Sequence, residues 1–167
     1  MTADKTRILD SGQVKQKIRR IAYQIFEENF KEKSIVIAGI DGQGYTLAKL
    51  IAKEFEAVSA IPVTVVKVML DKAAPQQHEV KLDCHIQEVK KKSIVLVDDV
   101  LNTGRTLAYA MKPFLETEVK KLEVAVLVNR SHTTFPIYPR YSGFELATTI
   151  NDHVQVVLGK DPAVYLT

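Results

Sequence analysis

The chain has 167 residues, 46% hydrophobic and 26% charged, with seven Gly and six Pro. That is the composition of one globular domain with material for a core, and it excludes collagen-like, coiled-coil and low-complexity classes. With 23 basic and 20 acidic residues the net charge is +3, an imbalance that neither demands nor excludes nucleic acid. A single cysteine, Cys84, rules out an intrachain disulfide and suits a reducing compartment. No apolar run approaches the roughly 20 residues needed to span a bilayer. The segment from Met1 to Asp10 mixes charges and lacks an apolar stretch, so it does not read as a signal peptide. These features predict a cytoplasmic single domain over residues 1–167, with no membrane partner.

In chain order, Asp10 and Gln13 are spaced as a capping box. Val14, Ile18, Ile21 and Ile25 then recur at helical spacing, which predicts a helix ending near Phe30 with Lys15, Arg19 and Tyr23 on its far side. Residues 34–38 form a short apolar strand, and Gly39 to Gly44 a glycine-rich turn. Leu47, Leu50, Ile51 and Phe55 mark a second helix. Pro62 introduces a strand over Val63 to Leu70. The polar stretch from Asp71 to Lys92 is long for a connection inside a domain, and such connections are usually functional or mobile. Ser93 to Val97 is continuously apolar, as expected of a parallel strand covered on both faces. Thr103-Gly104 breaks it, and a helix is expected from Arg105 into the region of Pro113. Leu122 to Val128 reads as another buried strand, the region after Asn129 as turn-rich, and Val154 to Leu158 as a late strand. This alternation predicts an α/β fold, a parallel sheet with helices on both faces. Ligands of such sheets bind at the carboxyl ends of the strands.

Three loops leave those ends: residues 40–44, 98–106 and 129–132. In the middle one, Asp98 and Asp99 stand side by side at the mouth of an apolar strand, where their repulsion calls for water, a cation or hydroxyl donors. Asn102, Thr103, Gly104, Arg105 and Thr106 then lead into a helix. A glycine for a tight backbone, hydroxyl donors and outward N–H groups are the components of a phosphate cradle. The same spacing also fits an Asp-rich loop whose threonine simply caps a helix. No Walker loop is present, and Gly39, Gly42 and Gly44 do not match a dinucleotide fingerprint. His78-Glu79 and Cys84-His85 lack the partners of a metal site. His132 and His153 read as surface or packing residues, and Arg19-Arg20 and Lys90 to Lys92 as solvated faces.

The run from Ile94 to Thr106 (IVLVDDVLNTGRT) closely resembles the phosphoribosyl-diphosphate signature of type I phosphoribosyltransferases. Ile8 to Asp10, Arg20 to Ala22, Gly39-Ile40, Leu47 to Lys49, Pro62 to Val65, Val126 to His132, Phe135 to Ile137 and Val164-Tyr165 extend the likeness over nearly the whole chain. They resemble one branch, the bifunctional pyrimidine-operon attenuation regulators that are also uracil phosphoribosyltransferases. The resemblance implies the type I fold with a small hood. It also implies Mg²⁺-dependent transfer of phosphoribosyl from phosphoribosyl diphosphate to a base, a pyrimidine such as uracil, giving a nucleoside monophosphate. On that likeness Asp98 and Asp99 bind the ribose hydroxyls, directly or through Mg²⁺, and residues 102–106 surround the 5-phosphate. Arg130 lies under the base, residues 71–92 form the lid, and RNA and a homo-oligomer are the implied macromolecular partners. The alternative is a nucleotide-sensing RNA-binding regulator with weakened catalysis.

Three departures accompany the likeness. Where relatives place Lys-Thr-Arg-Gly in the diphosphate turn, this chain has Asp41, Gly42, Gln43 and Gly44. The lid lacks the relatives' Tyr-Arg-Asp-Asp run, leaving Lys72 as its nearby cation and candidate catalytic group. Asn102 stands where some purine enzymes carry a basic Asp, which points away from purines.

Overall fold

The structure, a computed structural model, describes residues 4–149 and 151–167. The first three residues of the N-terminal segment, and Ile150, lie outside it. A six-stranded sheet runs in the order β4-β3-β2-β5-β6-β7. Its strands are β2 (Ile35–Ile40), β3 (Val63–Met69), β4 (Lys81–Leu82), β5 (Ser93–Leu101), β6 (Lys121–Asn129) and β7 (Tyr141–Glu145). All neighbours are parallel except β4, which turns back antiparallel on β3. Among the described residues a second sheet of three short antiparallel strands, β1 (Thr6–Leu9), β9 (Ala163–Leu166) and β8 (Val154–Val157), forms the hood.

The strand side chains alternate between two apolar layers. Ile35, Ile37, Val95, Val97, Ala125 and Leu127 face α1 (Ser11–Asn29) and α2 (Gln43–Val58), together with Val156 and Val164 of the hood. Val36, Ala38, Ile94, Leu96, Val124 and Val126 face Leu107, Ala110 and Phe114 of α3 (Arg105–Ala110) and α4 (Lys112–Leu115). Helices therefore cover both faces, as the continuously apolar strands predict. No helix among the described residues is long and apolar enough to cross a membrane.

The capping box opens α1 as expected: Asp10 Oδ1 accepts the Gln13 N–H and Gln13 Oε1 accepts the Asp10 N–H, each at 2.9 Å. The four apolar residues of its stripe are buried, while Lys15, Arg19 and Tyr23 are exposed. Several expectations change. The glycine-rich turn is shorter than predicted, because β2 continues through Ile40 and α2 begins at Gln43. The single helix expected from Arg105 divides at Met111. Pro113 has no N–H and its ring opposes the carbonyl four residues back, so it is tolerated only in the first turn of a new helix. β7 lies in chain that reads from the sequence as turn-rich, and it is a strand because its backbone pairs with β6. The polar connection of residues 71–92 holds β4 and a short 3₁₀ turn, Ile86–Glu88.

Candidate phosphoribosyl site

β5 carries the two acids beyond the level where β2 stops pairing with it, still bonded to β6 through Leu101. The Asp98 side chain is 7% exposed. Its Oδ1 accepts the Asp99 N–H at 2.9 Å, and Asp99 Oδ1 accepts the Val100 N–H at 2.9 Å. Lys72 Nζ lies 3.8 Å from Asp98 Oδ1. Burial first, and the adjacent Asp99 charge second, push the Asp98 carboxyl up to about 8, against the opposing pull of Lys72. Gly44, in the first turn of α2, covers this acid: a Cβ there would stand 2.9 Å from Asp98 Oδ1 and 3.0 Å from the Val97 carbonyl. The helix can sit over the acid only because residue 44 has no side chain.

The loop after β5 turns sharply at Gly104, whose φ is +88° and whose missing Cβ leaves room for Ile137. Thr103 Oγ1 accepts the Arg105 N–H at 3.3 Å. Its carbonyl is pinned from the far side by the Thr134 and Phe135 N–H groups, at 2.9 and 3.1 Å. Asp98 to Leu107, Lys72 from the lid and Val154 from the hood enclose a cleft of about 190 Å³. Gln76 also reaches the loop, its Oε1 accepting from Arg105 Nη2 at 2.6 Å.

Beside this cleft lies a wider cavity of about 680 Å³, lined by Asn102, Thr103, Arg130, His132, Thr134 and His153. The two histidines, expected to be surface or packing residues, thus stand in its wall. Arg130 is 8% exposed. Its guanidinium donates to Asn102 Oδ1 (2.8 Å), Thr148 Oγ1 (2.9 Å), and the carbonyls of Thr149 (3.1 Å) and Asp152 (2.6 Å). All but one of its N–H donors are committed within the protein.

Asp41, Gly42 and Gln43 do not join the acids. Asp41 is exposed and folds back on its own turn, its Oδ1 accepting the Gly42 N–H at 2.9 Å. It lines a third cavity, of about 480 Å³, with Asp71, His78, Glu79 and Lys81 of the lid. Gln43 is exposed at the start of α2. The sequence therefore predicts a set that the structure divides: Asp98, Asp99, Lys72 and residues 102–106 share one cleft, Gly44 packs beneath it, Arg130 braces its rim, and residues 41–43 lie to one side. Gln76, Thr148 and Val154 carry no motif that marks them.

The profile of the phosphoribosyl transferase domain family matches residues 4–160, and the chain belongs to that family. Its relatives include the Bifunctional protein PyrR of Acetivibrio thermocellus, 34% identical over 162 positions that cover 93% of this chain and 88% of that one. The Bifunctional protein PyrR of Microcystis aeruginosa is 32% identical over 176 positions, covering 96% and 97%. The hypoxanthine phosphoribosyltransferase structure of Trypanosoma cruzi superposes with a TM-score of 0.78 at 14% identity over 95% of each chain. A hypoxanthine-guanine phosphoribosyltransferase from Bacillus anthracis gives 0.68 at 18% identity, covering 86% of this chain and 84% of that one. These two structures share the fold, which is the type I fold that the sequence resemblance implies.

Proposed function

We propose that the chain transfers phosphoribosyl from phosphoribosyl diphosphate to a pyrimidine such as uracil, releasing diphosphate and a nucleoside monophosphate. The observation that carries this reading is the cleft itself. It joins a buried Asp98 and a half-buried Asp99, the Gly104 turn, two threonine hydroxyls and a lid lysine at the end of one strand. The N–H groups and hydroxyls of Thr103 to Thr106 hold the 5-phosphate, and Asn102 opens that loop toward the base. Asp98 and Asp99 hold the ribose hydroxyls. As the bond from C1 to the diphosphate breaks, positive charge develops on the ribose ring, as in glycoside transfer. The acid pair, Asp98 buried and Asp99 half-buried, stabilises that charge from the strand end. Lys72 faces Asp98 from the lid, and residues 71–92 as the lid shield the activated sugar from hydrolysis.

No cluster of three or more metal-ligating side chains occurs among the described residues. An acid pair whose nearby cation, Lys72, is an exposed lid residue 3.8 Å away nevertheless fits Mg²⁺, which binds through a carboxylate or two and keeps waters and substrate oxygens in its shell. Asp98 and Asp99 would hold it through water or the ribose hydroxyls, and it would neutralise the leaving diphosphate. A cytoplasmic setting and a homo-oligomer belong to the same reading. Saturable diphosphate release on adding uracil and phosphoribosyl diphosphate with Mg²⁺ supports it, and release that is independent of any base overturns it.

One observation favours a second reading, a nucleotide sensor that binds RNA with catalysis weakened. The cavity around Asp41 sets three carboxylates, with Asp71 and Glu79, against one lysine, Lys81, and one histidine, His78, a poor environment for a leaving diphosphate. An RNA affinity that falls steeply with salt, together with nucleotide binding and no turnover, would establish this reading over the first.

A further inference from the structure

Arg130 is a buried cation whose acceptors are an amide, a hydroxyl and two backbone carbonyls, all neutral. The Asp152 carboxyl, held below its ordinary value first by its hydrogen bonds to Thr149 and then by the Arg130 charge, stands near but does not bond the guanidinium, so four neutral acceptors fix its position. Its acceptors belong to two separate parts of the fold. Asn102 opens the phosphate loop, while Thr148, Thr149 and Asp152 precede β8 of the hood. The hood side is itself prepared: Asp152 Oδ2 accepts the Thr149 N–H at 2.7 Å, closing a turn that aims two carbonyls at Nη2. One residue further on, His153 lines the wide cavity, and Val154 lines the acid cleft. The Arg130 N–H also donates to the Leu101 carbonyl at 3.1 Å, so backbone and side chain both grip the start of the loop.

We propose that Arg130 is a positioning residue that acts through Asn102, tying the phosphate loop to the root of the hood so that the two ends of the ligand are held in one register. The role requires a planar fork with donors on three nitrogens. A lysine keeps the charge but concentrates its donors on one atom and cannot reach both elements. The inference rests on the phosphoribosyl reading of the cleft. It separates two kinds of ligand. Ribose 5-phosphate needs only the acids and the loop, whereas UMP also needs the hood to be placed correctly over its base.

Calorimetric titration of both ligands tests the proposal. Arg130→Lys is expected to weaken UMP about ten-fold more than ribose 5-phosphate, the size of one lost charged hydrogen bond. Adding Asn102→Ala to Arg130→Lys should change that ratio by less than about two-fold, because groups acting through one contact are not additive. Thr148→Val should shift the ratio in the same direction, and Thr148→Ser, which keeps the hydroxyl, should restore it. Should Arg130→Lys fail to fold, the Thr148 pair decides by the same ratio. Equal weakening of both ligands, or full additivity with Asn102→Ala, overturns the positioning role alone. Wild-type protein that binds neither ligand overturns the phosphoribosyl reading and the proposal with it.

Discussion

Asp98 places a carboxyl where the fold least accommodates a charge. Its folded pKa of about 8 stands above its ordinary value of 3.8, so as pH rises the unfolded chain gives up this proton first. The stability contributed by the protonated form is complete below 3.8 and is lost as pH climbs through about 8. In ligand-free buffer with chelator, Asp98→Asn should therefore raise stability at pH 7.5 by about 1–3 kcal/mol, while removing ribose-dependent binding. Melting curves from pH 4 to 8 check this, and a difference between variant and wild type that does not grow with pH means that Lys72 already balances the charge. Thr106 lies across the same cleft. Thr106→Val should weaken nucleotide monophosphate binding by about 1–3 kcal/mol with little change in melting temperature. Unchanged affinity would place the phosphate elsewhere. Both residues are legible in the sequence, since the motif from Ile94 to Thr106 is contiguous and its chemistry is local. The role of Arg130 is not legible there, because its partners lie up to 28 positions away and polar residues in loops give no pairing signal.

Elements with a strong period read correctly, and those that depend on neighbours do not. α1 announces itself through a capping box and a four-residue stripe, and β2, β5 and β6 through unbroken apolar runs. β1 and β9 are four residues each, too short to carry a period, and they exist as a pair because each satisfies the other's backbone. β7 interrupts its run with Ser142 and Gly143, yet its backbone pairs with β6 from Ala125 to Asn129. Close packing between elements is equally invisible until the sheet is assembled. Gly44 reads as one more turn glycine, whereas the structure makes it the contact between α2 and β5. Gly44→Ala should therefore destabilise the fold by about 1–3 kcal/mol, the range for forcing a methyl into a packed site. It should also weaken nucleotide binding, because the nearest atom displaced belongs to Asp98. Denaturant unfolding and nucleotide titration on the same protein test this, and full stability would mean that α2 has room to move.

At the scale of the whole molecule, the parallel strands deliver their loops to one edge, and the charges gathered there are not uniform. On one side stand Arg105 and Lys72, which line the acid cleft together with the loop of residues 102–106. On the other, Asp41, Asp71 and Glu79 share a cavity with His78 and Lys81, and the Asp41 carboxylate occupies the Gly42 N–H that an anion would otherwise use. A ligand that carries one phosphate meets only the favourable side. A ligand with a further diphosphate must bring that negative charge toward the carboxylates, where at a few ångströms repulsion is weakened by water but not abolished. Phosphoribosyl diphosphate should therefore bind weakly and depend strongly on Mg²⁺, while a nucleoside monophosphate should not. Reversing the turn with Asp41→Lys and Gln43→Arg removes one negative charge, frees the Gly42 N–H and adds two cations. Affinity for phosphoribosyl diphosphate should rise by about ten-fold or more, roughly the effect of one or two charged hydrogen bonds, with little change for UMP. Calorimetry on both ligands, with and without Mg²⁺, makes the comparison. Equal gains for the two, or none for either, would show that this turn does not face the diphosphate, and the acidic cavity would then need a different ligand to explain it.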